Sequence, residues 1–210
     1  MKKLLVLQIS AFILIAGALG GMFLYTDAYE AVQSRIVLVL CLSCIKLDPK
    51  TQLDFTFETA TGQPHSDFVL ENLTKGPVFL AFREDVCPAC DIMEPIIQDI
   101  FDIEFEKEEI VIKTVILQDT NVTFIHINID HASKEMKDSL FIYDKDHIGG
   151  VPMFTIVTLG YHHGFVEPSY TTAYGILNLE RDDERKQLLL NIIQDGINLY
   201  NKNKAGYDIE

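Results

Sequence analysis

Apolar positions along this chain fall into runs of three lengths. The longest, residues 4–25, carries no formal charge over 22 positions. As a helix it would extend about 33 Å, enough to cross the hydrocarbon core of a bilayer. A second run, residues 36–45, is almost wholly apolar but too short to span, so it reads as a strand, a core-packing segment or an interfacial piece. Beyond a boundary at Asp48-Pro49-Lys50 the apolar runs become short and periodic. Leu53, Phe55 and Phe57 alternate with Asp54, Thr56 and Glu58, as in a half-buried strand. Thr61-Gly62-Gln63-Pro64 turns the chain, and residues 68–73 form a short helical or irregular link. Residues 77–82, Pro-Val-Phe-Leu-Ala-Phe, are uninterrupted in apolarity and predict a buried strand. After them Ile92, Met93, Ile96, Ile97 and Ile100 recur at helical spacing.

Residues 104–109 are mostly acidic and predict a solvated helix end. Two β-rich runs follow, 110–117 and 122–129, joined by Gln118-Asp119-Thr120-Asn121. Residues 133–143 predict a helix with Met136, Leu140 and Phe141 on one side. Residues 153–159 predict a strand, 161–166 its hairpin partner and 168–175 a loop. Residues 182–200 predict a helix with Leu188, Leu189, Ile192, Ile193 and Ile197 inward, and the tail from Asn201 is expected to fray.

Chemistry concentrates at Cys87-Pro88-Ala89-Cys90, the junction of the buried strand with the helix after it. Pro88 suits the first helical position, where no backbone N–H is needed, and that leaves Cys87 as the cap residue. Unpaired amide N–H groups and the helix dipole stabilise negative charge there, which lowers a cap thiol's pKa. Cys90 lies one turn along, close enough to close a disulfide.

At these residues the chain resembles the thioredoxin superfamily. Pro95, five residues after Cys90, matches the proline that kinks the family's active-site helix. Gly150-Val151-Pro152 matches the signature in which a cis-proline faces the CxxC, and Gly160 matches the glycine that turns the last hairpin. The resemblance covers roughly residues 51–203 and implies an α/β, thioredoxin-like fold, a central mixed sheet flanked by helices. The β-rich run 110–117 then reads as an inserted hairpin strand or as an extension of the preceding segment. By the same resemblance, Pro152 turns the backbone of Val151 outward beside the cysteines, where a substrate chain can pair as an added strand. The plainer reading is that Pro152 merely begins an edge strand. Three departures separate this chain from thioredoxin itself: Ala81 stands at its buried aspartate, Arg83 and Val86 at its two tryptophans, and Asp91 at a lysine after the motif.

Charge narrows the partners. A net charge of −14 and a sequence pI near 4.7 disfavour nucleic acid and anionic membrane surfaces. Lys2 and Lys3 precede the long apolar run while Asp27 and Glu30 follow it, so an anchor at residues 1–25 would place the rest of the chain outside the cytoplasm. The alternative is a cleaved signal peptide, with Ala16-Gly17-Ala18 as its small-x-small site. Two tripeptides, at Asn72 and Asn121, have the form of glycosylation sequons and fit an outward-facing domain. The expected organisation is an anchor or signal at 1–25, a connector at 26–50, the thioredoxin-like domain at 51–203 and a tail at 204–210.

The connector carries a second CxxC, Cys41-Leu42-Ser43-Cys44. It reads as two small apolar residues or a structural disulfide, as a second redox pair, or as a lipid-modified cysteine. Shared zinc is disfavoured, because 42 residues separate the pairs, against about 15–20 in the common ribbon pattern. The six histidines show no ligand spacing, so no metal and no cofactor is expected. His147 stands nearest in sequence to the Val-Pro motif.

The expected function is thiol-disulfide exchange on protein substrates outside the cytoplasm, with Cys87 as nucleophile, Cys90 as resolving thiol, and Pro88, Ala89, Val151 and Pro152 in support. A membrane redox partner or complex is compatible with the anchor. The alternatives are an accessory, client-holding subunit of a membrane complex and a four-cysteine metal protein. The direction of exchange stays open. The helix dipole and Arg83 favour the Cys87 thiolate, whereas Glu84, Asp85 and Asp91 oppose it.

Overall fold

A computed structural model of the chain describes residues 54–207. The expected anchor at 1–25 and the connector with Cys41 and Cys44 lie outside the described residues. Among the described residues no helix is long and apolar enough to cross a membrane.

The elements are α1 (Asp67–Leu73), β1 (Val78–Arg83), α2 (Pro88–Phe101), β2 (Val111–Leu117), β3 (Thr120–Asn128), α3 (Lys134–Tyr143), β4 (Met153–His162), β5 (Phe165–Tyr174) and α4 (Asp182–Asn203), followed by a 3-10 turn at Lys204–Gly206. The strands form one five-stranded sheet in the order β2-β3-β1-β4-β5. Strands β1 and β3 run parallel, with Ala81 opposite His126, and every other pair is antiparallel, so the sheet is mixed. The fold is therefore α/β, a mixed sheet flanked by helices.

Strand β1 is buried on both faces, which explains its unbroken apolar run. Its side chains alternate across the sheet. Phe79 and Ala81 join Phe124, Phe154 and Ile156 under α2 and α4, which contribute Met93, Ile97, Ile193 and Ile197. Val78, Leu80 and Phe82 join Ile125, Ile127 and Val157 under α1 and α3, which contribute Val69, Leu73, Leu140 and Tyr143. Gly76, just before β1, is forced by close approach: a Cβ there would lie 1.8 Å from the backbone oxygen of Asn121.

Several local expectations need correction. The alternation at residues 53–58 yields only an isolated bridge, Thr56 with Tyr170, rather than a strand among the described residues. Ile92 and Phe141 face solvent, 45% and 56% exposed, because α2 and α3 each bury only one stripe, and Tyr143 takes the inward place in α3. Helix α2 stops at Phe101 because Asp102 turns left-handed (φ 51°). The acidic stretch 104–109 is solvent-exposed as expected except at Phe105, but it is a loop and not a helix end, and Phe105 is buried along with Ile103 just before the stretch. A two-residue turn, Gln118-Asp119, with both φ values positive, joins β2 to β3. The last hairpin turns at His163-Gly164 instead of Gly160. Gly160 sits within β4, where a Cβ would meet the ring of Phe57 at 2.5 Å. Residues 168–174 lie in β5 and are not loop, and residues 201–206 complete α4 and its 3-10 turn in place of fraying.

Candidate active site

Only Glu84, Asp85 and Val86 separate the end of β1 from Cys87, the N-cap of α2. This link is tied to the end of β3. Asn128 Nδ2 donates to Asp85 Oδ1 at 2.8 Å, and the Asp85 N–H donates to Asp130 Oδ2 at 2.9 Å. His131 Nε2 lies 3.0 Å from Asp85 Oδ1. The Asn128 N–H above all, then His131 and Arg83, hold the Asp85 carboxyl below the usual carboxylate range.

Cys87 has non-helical backbone angles (φ −138°, ψ 89°), and its Sγ accepts the N–H of Cys90 at 3.1 Å. Sulfur here takes the place that a serine or aspartate oxygen takes in an ordinary N-cap. Pro88 occupies the first turn, where its missing N–H leaves nothing unpaired. Cys87 and Cys90 are joined in a disulfide with Cα atoms 5.2 Å apart. Both are buried, while Pro88 is exposed and Ala89 half-buried. Pro95 sits inside the helix and removes the bond to the Asp91 carbonyl, on the stretch that carries the cysteines.

The opposing wall comes from the loop between α3 and β4. Asp144, buried at the end of α3, accepts the N–H of Ile148 at 2.9 Å and that of Gly149 at 2.7 Å. Gly149 holds φ +69°, a left-handed conformation that suits glycine. The Val151–Pro152 bond is cis, with Pro152 buried and Val151 half-buried. Pro152 and Cys90 line one small cavity of about 20 Å³, together with Ala81, Arg83, Glu94 and His126. The structure thus brings Cys87, Pro88, Ala89, Cys90 and Pro152 to one place, with Val151 beside them. His147 is exposed on the loop leading there.

Arg83 is not free to act on Cys87. It is only 3% exposed, its Nη1 donates to Glu94 Oε2 at 2.6 Å, and its Nη2 lies 3.4 Å from Asp91 Oδ1. Its Nε donates to the Glu84 carbonyl at 3.2 Å. Asp91 is likewise engaged, since Lys107 Nζ donates to it at 2.6 Å. That bond first, and then the charges of Lys107 and Arg83, lower its pKa. The two opposing influences expected of Arg83 and Asp91 therefore largely neutralise one another, which leaves the helix N-terminus with its cap bond set against the carboxylates of Glu84 and Asp85 in the link before Cys87.

His126 closes the cavity from β3. Its Nδ1 lies 2.7 Å from the Glu109 carbonyl, so that nitrogen is the donor. Burial pushes its pKa down to about 4, and the ring is neutral at pH 7. Among the described residues, no three His, Cys, Asp or Glu side chains gather to hold a metal ion.

Glu94, Asn128 and Asp144 were not singled out from the sequence. Glu94 carried a signal: it lies four residues after Cys90, beside Met93 in a helix whose apolar stripe includes Ile97, so it borders the inward face. Asn128 and Asp144 carried none, because each acts on backbone that only the fold brings near. Searches against protein-family models and against curated proteins found no match to this chain.

Proposed function

We propose that this chain is a thioredoxin-like thiol-disulfide oxidoreductase acting on protein disulfides, with Cys87 as nucleophile and Cys90 as resolving thiol. The observation that carries the reading is the placement of Cys87 Sγ at the N-cap of α2, accepting the Cys90 N–H, with Pro152 against Cys90 across the cavity. A thiolate at Cys87 inherits the unpaired N–H groups of the first turn and the positive end of the helix dipole. It attacks a client disulfide, the client's first sulfur leaves as thiolate, and a mixed disulfide forms. Cys90 then attacks Cys87 Sγ, releases the client's second sulfur and restores the Cys87–Cys90 disulfide. Run backward, the same steps donate a disulfide. Residues 1–25 make this a membrane-anchored activity on the far side from the cytoplasm, where disulfide clients occur.

Insulin reduction driven by a dithiol, with the full-length chain in mild detergent, tests the reading. Cys87→Ser is expected to abolish turnover, and Cys90→Ser to accumulate a mixed disulfide through Cys87. A Cys87→Ser chain that turns over as fast as the parent overturns the nucleophile assignment.

A further inference from the structure

The cavity behind Cys90 contains a carboxylate that the exchange described above leaves without a task. Glu94 uses only one of its oxygens: Oε2 accepts from Arg83 at 2.6 Å. Its Oε1 is buried and has no hydrogen-bond partner among the described residues. An unpaired buried carboxylate oxygen is costly unless something reaches it. Cys90 and Glu94 are four residues apart on α2 and so share a helix face, and both line the same cavity. At about 20 Å³ it has room for one water molecule. Among the described residues no other carboxylate lines it. Its remaining walls are apolar apart from Arg83, which Glu94 already holds, and His126, whose Nδ1 is committed to a carbonyl.

We propose that Glu94 relays the proton of Cys90, through one water in this cavity, when Cys90 resolves the mixed disulfide. The inference rests on the exchange reading above and adds a residue to it. The Cys90 S–H proton passes to the water as the water's proton passes to Glu94 Oε1, leaving a Cys90 thiolate. That thiolate forms the bond to Cys87 Sγ, and the bond from Cys87 to the client sulfur breaks, its electron pair leaving with the client. When an external thiolate later reopens the disulfide at Cys87, the departing Cys90 sulfur takes the proton back. Arg83 on β1 fixes the carboxylate without filling Oε1. The charged and titratable groups around it are Arg83 on β1, His126 on β3, Asp91 on α2 and Lys107 in the following loop.

The two steps can be timed separately. The full-length chain in mild detergent, carrying Cys41→Ser and Cys44→Ser so that only one thiol pair reports, is reduced and mixed with 5,5′-dithiobis(2-nitrobenzoate). Attack by Cys87 releases one chromophore, and resolution by Cys90 releases a second. With Glu94→Gln the first release is expected to keep its rate, while the second slows about a hundredfold near pH 7, the low end of what positioned proton transfer contributes. The deficit is expected to shrink severalfold when the pH is raised to about 9.5, one unit above the ordinary thiol pKa of about 8.5, where hydroxide competes with the relay for the thiol proton. A residue that merely holds Arg83 would slow the second release equally at both pH values. That result, or a second release as fast as the parent's near pH 7, overturns the proposal. Should Glu94→Gln not fold, Arg83→Met/Glu94→Gln leaves no lone guanidinium and is read the same way. A parent chain without a second release, or a Cys90→Ser chain that keeps it, overturns the exchange reading instead, and this proposal with it.

Discussion

Lowering the pH from 7 to 4 is expected to destabilise the folded chain through His126. In the unfolded chain this histidine titrates at its ordinary 6.5, and in the fold burial brings it to about 4. Between those values the unfolded state binds a proton that the folded state refuses. Stability is therefore unaffected by His126 above about pH 7, falls as the pH drops below 6.5, and levels off below about 4. Each unit between the two pKa values is worth about 1.4 kcal/mol, which caps the loss at roughly 3 kcal/mol. His65, pushed down to about 4 chiefly by burial, adds a loss of the same sign in the same window. The carboxylates held low by their partners, Asp85, Asp91 and Asp183, behave differently. Their contribution is present above their unfolded pKa of 3.8 and is lost only as the pH falls through their lower folded values. Of these five groups, only the two histidines act in the interval from 6.5 down to 4. Urea unfolding at a series of pH values measures it, with His126→Gln as the control that keeps an N–H donor for the Glu109 carbonyl and cannot titrate. The parent's advantage over the variant should shrink as the pH falls. Stability curves that stay parallel from pH 7 to 4 would refute the buried, neutral assignment of His126.

Two further predictions concern the frame of the site. Gly76→Ala places a methyl 1.8 Å from the Asn121 backbone oxygen, so β1 or β3 must shift. A loss of about 3 kcal/mol or more is expected in urea unfolding, and a loss near zero would show that the approach is looser than described. Arg83→Met leaves the largely buried Glu94 without its 2.6 Å partner and is expected to cost about 3 kcal/mol. Most of that should return in Arg83→Met/Glu94→Gln, where no charge is left unpaired. A double variant no more stable than Arg83→Met alone would refute the pairing.

The half of the fold that builds the cysteine junction was legible in the sequence because its signals are local. An unbroken apolar run marked β1, helical spacing marked α2, and Pro88 fixed the helix start between the two cysteines. The C-terminal hairpin was not legible, because β5 hides polar residues in the sheet. Thr155 and Thr172 pair by their hydroxyls at 3.0 Å, and Thr172 in turn donates to the Tyr143 carbonyl. Ser169 and Thr171 are fully buried. Pro168, which argued for a loop, is tolerated because β5 is the last strand of the sheet. At the site, the cysteines were found from their spacing at a strand-helix junction, and Pro152 from the resemblance to a known signature. Arg83 was noticed for its charge and misread, because nothing in the sequence tells that Glu94 and Asp91 reach it. Buried ion pairs between elements depend on where the elements land, and local patterning carries no record of that.

The two rims of the sheet are unequally defended. On β5 the outer backbone is engaged at Tyr170 by Thr56, and Pro168 interrupts its donors. On β2 the outer backbone has no strand partner among the described residues, and Ile112 and Ile116 stand 50% and 73% exposed, with Lys113 the only charged residue between them. Lateral recruitment of a foreign chain, whether in a crowded compartment or in a concentrated sample, would start along β2, so polar replacements at Ile112 and Ile116 are the natural first step toward a better-behaved protein.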